Sequence, residues 1–138
     1  MFTVGNIYQR QKDLHDKFGG NRQSGISPSS KYPYIFLFQS PSGLENGYVD
    51  GWLSSDIYSY SGEGKIGDMN FTRGNKAILE HQENGKKLYL FKMIASGFYE
   101  YIGEFKYHSH EIISGSDSKG NIRKSIRFNL QIVEEMNN

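Results

Sequence analysis

The sequence holds no cysteine, which excludes disulfides, thiolate metal sites and a thiol nucleophile. It has no excess of either charge: 16 lysines and arginines stand against 15 aspartates and glutamates, a net +1. That excludes a protein that coats nucleic acid by charge alone, but not a selective binder with a local basic rim. No apolar run approaches the length of a membrane span, so no membrane partner is expected. Met1-Phe2-Thr3-Val4-Gly5 is not a basic stretch leading into an apolar one, so no signal peptide is expected either. An intracellular, cytoplasmic chain is the simplest expectation. There is no Gly-x-Ser-x-Gly, no His-Glu-x-x-His and no phosphate loop, and no internal repeat. His108-Ser109-His110 offers two imidazoles, but no third ligand is spaced to join them, so a plain surface strand is expected. Neither a metal nor a cofactor is anticipated.

What is present is aromatic. Ten tyrosines and nine phenylalanines in 138 residues carry much of the apolar load, which favours a β-rich fold. A chain of this length fits one domain, spanning residues 1–138. It is long enough to bury roughly two-thirds of the surface that the open chain exposes.

Phe2-Thr3-Val4-Gly5 reads as a short strand. Residues 8–18 read as a helix, with Leu14 and Phe18 four apart, stopped at Gly19-Gly20. A polar loop fills 19–33. The continuous apolar run over 34–39 predicts a buried central strand, and Pro41-Ser42-Gly43 predicts a turn. After a Gly-rich loop at 62–74, residues 75–83 read as a second helix with Ala77, Ile78 and His81 on one side. Strands are predicted over 87–94 and 98–107, the latter with Tyr99, Tyr101, Phe105 and Tyr107 on one face. The last strand alternates most clearly, with Ile122, Ile126, Phe128, Leu130 and Ile132 inward and Arg123, Arg127, Asn129 and Gln131 outward. Six or seven strands and two short helices, in no βαβ order, predict an α+β fold: a curled sheet or open barrel with helices at its sides.

The stretch from Gly47 to Gly62 carries the most chemistry. If residues 48–52 are extended, Tyr48, Asp50 and Trp52 share a face, and Tyr60-Ser61-Gly62 ends the following strand. Two readings fit. In one, the rings clamp a flat heterocycle while Asp50 and Ser61 read its edge. In the other, Tyr48 and Trp52 pack in the core, Asp50 caps a turn, and Tyr60 and Ser61 are ordinary strand-end residues; an acid on an apolar stripe needs partners either way. Arg22-Gln23-Ser24-Gly25 suits insertion at a groove or phosphate contact, or is a solvated loop. Lys65, Arg73 and Lys76 read as phosphate contacts or as surface charge, with Asn75 supporting a helix start whose N–H groups face a phosphate.

Gly47-Tyr48-Val49-Asp50, Tyr60-Ser61-Gly62 and Arg73-Gly74-Asn75-Lys76-Ala77-Ile78, in that order, resemble the SET- and RING-associated (SRA) domain. The likeness is greatest to the bacterial version at the N-terminus of HNH restriction endonucleases, with its Tyr-x-Asp-Gly-Trp, Tyr-Thr/Ser-Gly-Glu-Gly and Gly-Asp-Met…Arg-Gly-Asn stretches. It runs from about Val4 to about Ile132. The resemblance implies an SRA/PUA-like twisted β-barrel with two short flanking helices, and a reader that flips 5-methylcytosine or 5-hydroxymethylcytosine out of duplex DNA. It implies Tyr48 and Tyr60 on the two faces of the base, Ser61 on its edge and an acid on its amino group. Eukaryotic members carry two consecutive acids and read with the second; here Asp50 is followed by Gly51, so Asp50 reads from one position earlier. The finger between Gly62 and Thr72 is short, so discrimination of half-methylated sites is not implied. An HNH nuclease is expected in such proteins but not in this chain. The resemblance therefore implies a non-catalytic targeting module of a bacterial, nucleoid-associated restriction system, acting with a nuclease domain, with a partner chain or alone.

The alternative is a PUA-like RNA-binding module stacking a single-stranded base in the same slot. A small enzyme using Asp50 and a histidine, or a pure interaction domain, fits less well, since no convergent acid, base and nucleophile are present.

Overall fold

A computed structural model describes residues 1–40 and 50–134. Tyr48, Gly47, Val49 and the turn expected at Pro41-Ser42-Gly43 lie outside the described residues. The elements run β1 (Ile7–Gln9), a wide π-helical stretch (Arg10–His15) continued by α1 (Asp16–Phe18), β2 (Ile26–Pro28), β3 (Tyr34–Gln39), β4 (Gly51–Trp52), β5 (Ile57–Ser61), α2 (Arg73–Leu79), β6 (Lys87–Ala95), β7 (Phe98–Ser116) and β8 (Ile122–Ile132). The strands form one mixed sheet in the order β2-β3-β6-β7-β8-β5-β4, with β1 added beside β7. Among the described residues only β3 and β6 pair in parallel. Among the described residues the sheet curls but does not close into a barrel. Side chains span the seam between β3 and β5: the Tyr60 hydroxyl lies 3.0 Å from Gly25 O and 3.1 Å from Phe38 O, and the Tyr58 hydroxyl donates to Gln39.

The apolar run of β3 is buried on both faces, as its composition predicts. Ile35 and Leu37 enter an inner core with Leu88, Leu90, Phe128 and Leu130. Phe36 and Phe38 enter an outer core with Leu14, Tyr89, Phe91, Tyr99 and Tyr101. The outer core is aromatic because a single helical stretch must cover it, and rings fill wide gaps. Phe2 closes it, with its ring 5.3 Å from Phe91 and 5.4 Å from Tyr8, Tyr89 and Tyr101.

Several expectations are corrected. Residues 2–5 form no strand; β1 begins at Ile7. Residues 26–28, expected in a loop, pair with β3. α2 starts and ends earlier than expected, over Arg73–Leu79. β7 continues to Ser116 because β8 pairs with it along its whole length. Tyr99 and Tyr101 do not share a face with Phe105. Phe91 pairs with Tyr101 while Leu90 pairs with Gly103, so Ile102 is an extra residue. A bulge of this kind exchanges the faces of everything beyond it. On β8, Ile126, Phe128 and Leu130 are buried as expected, but Ile122 is 84% exposed and Arg123 and Arg127, expected outward, are buried. The reason is local cover: the 62–70 loop lies over Arg123, and Asp50, just before β4, with Ser59 and Ser61 of β5, receives Arg127.

Gly74 allows α2 to pack on β2. A Cβ added there would lie 2.8 Å from the Cβ of Ile26, closer than two such atoms approach. Gly74→Ala is expected to destabilise the fold by about 1–3 kcal/mol through overpacking, read as a lower urea midpoint with an unchanged m-value.

Candidate nucleic-acid interface

Three strands bring one polar cluster together. β4 pairs with β5 through Gly51 and Ser59, and β5 pairs with β8 through Ser61 and Arg127. Asp50, just before β4, therefore meets the end of β5. Its Oδ1 accepts from the Ser61 amide (3.0 Å), the Ser61 hydroxyl (2.8 Å) and Arg127 Nη2 (3.0 Å). Arg127 Nη1 donates to the Ser61 hydroxyl (2.8 Å), and Nη2 to the Ser59 hydroxyl (2.8 Å). Both charged side chains are largely buried, at 12% exposure for Asp50 and 7% for Arg127. Burial pushes the Asp50 carboxyl above the usual aspartate value, against the opposing pull of Ser61 and Arg127. The donors fix the direction of the carboxylate on one oxygen. Oδ2 accepts no bond from the described residues.

Asp50 and Ser61 line a cavity of about 460 Å³, together with Arg10, Gln23, Phe38, Gln39, Tyr60, Gly62, Glu63, Lys65 and Tyr99. A carboxylate on such a wall accepts from an amino group and repels a carbonyl. A second hollow of about 600 Å³ adjoins it, sharing Gln23, Gly25, Glu63, Gly64, Lys65 and Met69 and adding Ser24, Thr72, Arg73 and Asn75. Most residues singled out from the sequence thus reach one face of the molecule.

Some do not. Trp52 stands apart from the cavity. It is 48% exposed, and its ring packs on Tyr58 (5.2 Å) and Phe105 (5.6 Å). Strand alternation would place it beside Asp50, but Asp50 lies before β4, and Gly51 between them has φ 155. Tyr60 contributes to the cavity wall at only 3% exposure, so its ring is held by the core and its hydroxyl by two carbonyls. Burial drives that hydroxyl's pKa far upward, so it remains a donor. Asn75 is also buried. It accepts from Glu63 N (2.8 Å) and donates to Glu63 O (2.9 Å) and Asn70 O (3.0 Å), which makes it a brace between α2 and the 62–70 loop. Arg22 lies beside the hollow and pairs with Asp16 at 2.8 Å. Lys76 lines neither cavity. Arg73 has φ 47, an uncommon backbone for a non-glycine residue, at the start of α2.

Sequence reasoning missed Arg127, Arg10, Asp117 and Arg123. Asp117 Oδ2 accepts from Gly67 N (3.0 Å), while its Oδ1 accepts from Lys119 N (2.9 Å) and Asn121 N (3.0 Å). Arg123 Nη1 donates to Gly64 O (2.9 Å) and Gly67 O (3.0 Å). The tip of the β7–β8 hairpin thereby holds the loop that carries Lys65. The available signal was Arg123 and Arg127 on one side of a strand; Arg127 lies opposite Ser61 of β5.

A comparison with curated proteins found no match. Among solved structures, the chain is similar to the sulfur binding domain and SRA domain of ScoMcrA complexed with phosphorothioated DNA (TM-score 0.77, 20% identity), covering 98% of this chain and 41% of that one. It is similar to the Type IV phosphorothioation-dependent restriction endonuclease ScoMcrA (TM-score 0.76, 20% identity), covering 98% of this chain and 29% of that one. The chain thus spans less than half the length of either. It is also similar to the SUVH5 SRA domain in complex with hemi-methylated CG DNA (TM-score 0.67, 21% identity), covering 99% of this chain and 92% of that one. These likenesses place the curled sheet and its two short helices in the SRA fold. The model of the ScoMcrA-like SRA domain matches residues 4–138, and the chain belongs to that family.

Proposed function

We propose that this domain recognises modified cytosine, 5-methylcytosine or 5-hydroxymethylcytosine, in duplex DNA by receiving the flipped base in the cavity beside Asp50. The observation that carries this reading is the Asp50 carboxylate, fixed on the cavity wall by Ser61 and Arg127. Its acceptor matches the exocyclic amino group of cytosine and repels the carbonyl that thymine carries at the same place. Family membership supports it, as do the solved SUVH5 SRA complexes with methylated and fully hydroxymethylated CG DNA.

Extruding a base costs a few kcal/mol of stacking and pairing. Tyr48, as one stacking face, would return roughly 1–3 kcal/mol, with Tyr60, fixed in the cavity wall by the core, as the second face. With a net charge of only +1, phosphate contacts come from a local rim, Arg22, Lys65, Arg73 and Lys76, rather than from the whole surface. The domain acts as a reader, and cleavage in a modification-dependent restriction system falls to an HNH nuclease domain or partner chain.

The test is a titration of matched duplexes carrying cytosine, 5-methylcytosine and 5-hydroxymethylcytosine at fixed salt. Tyr48→Ala is expected to abolish the preference for modified over plain duplex while leaving non-specific affinity; equal loss on both would overturn the slot. Asp50→Asn is expected to lower the preference about tenfold or more, since hydrogen bonds to a charged group contribute about 1.5–3 kcal/mol. With Oδ1 holding three donors, protonation of Asp50 would fall on Oδ2 and turn that acceptor into a donor, and burial raises its pKa above the usual aspartate value. The preference should therefore fade on acidification at a higher pH than an exposed aspartate would give.

Lys65→Ala and Arg73→Ala are expected to weaken binding to modified and plain duplexes alike. Each should reduce the slope of log K against log salt by about 1.

A further inference from the structure

One charged group on the cavity wall plays no part in the reading above. Arg10 is 6% exposed, and its guanidinium carbon lies 3.7 Å from the centroid of the Phe38 ring. Its Nη2 donates to Asn21 O (3.1 Å) and Ser24 O (2.7 Å). Its Nε donates to His15 Nε2 (2.9 Å). Because Nε2 of His15 accepts, the ring proton sits on Nδ1, which donates to Gly19 O (2.8 Å). Between the two carbonyls that Arg10 holds, Asn21 Oδ1 accepts the amides of Gln23 and Ser24, each at 2.8 Å. Arg10 thus gathers the 21–24 part of the loop, while Ser27 Oγ donates to Asn21 O (2.8 Å) and Phe38 N to Gly25 O (2.7 Å) at its ends.

The geometry points to Arg10 as the positioning residue of the 21–25 loop on the proposed DNA face, with neutral His15 as the acceptor that keeps its guanidinium in place. The inference rests on the base-reading assignment for its consequence in DNA binding, but not for the loop's order. Arg10 itself need not touch DNA. It presents Gln23 and Ser24 at the junction of the two hollows, where a loop free to open would have to be ordered at each encounter.

A protonated His15 cannot accept from Arg10. Burial lowers its pKa below 6.5, and the cations of Arg10 and Arg22 push the same way while Asp16 opposes them. β3 presents only the rings of Phe36 and Phe38 to it. A histidine held neutral in the fold and free in the unfolded chain contributes stability that is present at neutral pH. That stability is lost as pH falls below about 6.5. The grip on the loop should weaken lower still, as pH falls through the depressed pKa of His15 in the fold.

The test uses the full chain. In the DNA-free protein, Arg10→Met is expected to raise amide exchange at Gln23 and Ser24 about tenfold or more while exchange at Phe128 and Leu130 in β8 is unchanged. His15→Gln, whose amide has one acceptor and one donor at every pH, is expected to keep the loop protected. Its preference for methylated over plain duplex should decline less on acidification than that of the unaltered chain. Asp50 loses charge in both proteins, so the difference between the two profiles is the readout. Unchanged loop exchange in Arg10→Met, or identical acid profiles for His15→Gln and the unaltered chain, would overturn the inference. If Arg10→Met does not fold, acid-induced exchange at Gln23 and Ser24, compared between His15→Gln and the unaltered chain, decides in its place. If the unaltered chain shows no preference between duplexes, the base-reading assignment fails, and the exchange measurements still decide the role of Arg10.

Discussion

The buried ion pair of Asp50 and Arg127 is the constraint on which the proposed recognition face depends. An isolated carboxylate at this depth would be costly, and so would an isolated guanidinium. Each is tolerable because the other is present, because the Ser59 and Ser61 hydroxyls accept from Arg127, and because Ser61 donates to Asp50 Oδ1. The pairing ties β8 to the segment entering β4, across β5. It therefore links the cavity's chemistry to the sheet's topology: shifting β8 against β5 by one residue would move Arg127 to the other face and leave Asp50 without its counter-charge.

Around this pair the sheet is used on both faces. The inner core is mainly aliphatic, with Tyr58, Tyr60, Phe105 and Phe128 among its members, and is closed by curvature; the outer one is aromatic and is closed by the N-terminal segment. The bulge at Ile102 allows β7 to serve the outer core with Tyr99 and Tyr101 and the inner core with Phe105. Tyr99 and Phe38 also reach the cavity wall, so the outer core supplies part of the proposed binding site.

Much of this was legible in the residues. A run as apolar as 34–39 has no place but a doubly covered strand, and Gly19-Gly20 had to end the first helix, as φ values of 71 and 88 show. Asp50 and Ser61, read as two groups facing one slot, both line the cavity, where Ser61 is bonded to Asp50 and Arg127. What escaped prediction depends on tertiary cover. Period-two alternation assigns faces, not depth, so Arg123 and Arg127 read as a solvated row until the loop and strands above them were seen. Arg10 read as an ordinary helix residue, because the carbonyls that hold it are main-chain atoms with no sequence signature. Asn75 read as a DNA contact because a polar residue at a helix start resembles one, whereas its amide is fully used inside the molecule. Trp52 was misplaced by assuming regular alternation through Gly51.

The hairpin tip holds the 64–67 segment almost wholly by main-chain atoms: Arg123 takes the carbonyls of Gly64 and Gly67, Asp117 the amide of Gly67, and Ser118 N the carbonyl of Lys65. The side chains of Lys65 and Ile66 are therefore spared from keeping the loop in shape. Substitution at these two positions can change what the loop offers a partner without changing its path, which makes this short segment a site where binding preference can diverge between relatives while the scaffold stays constant.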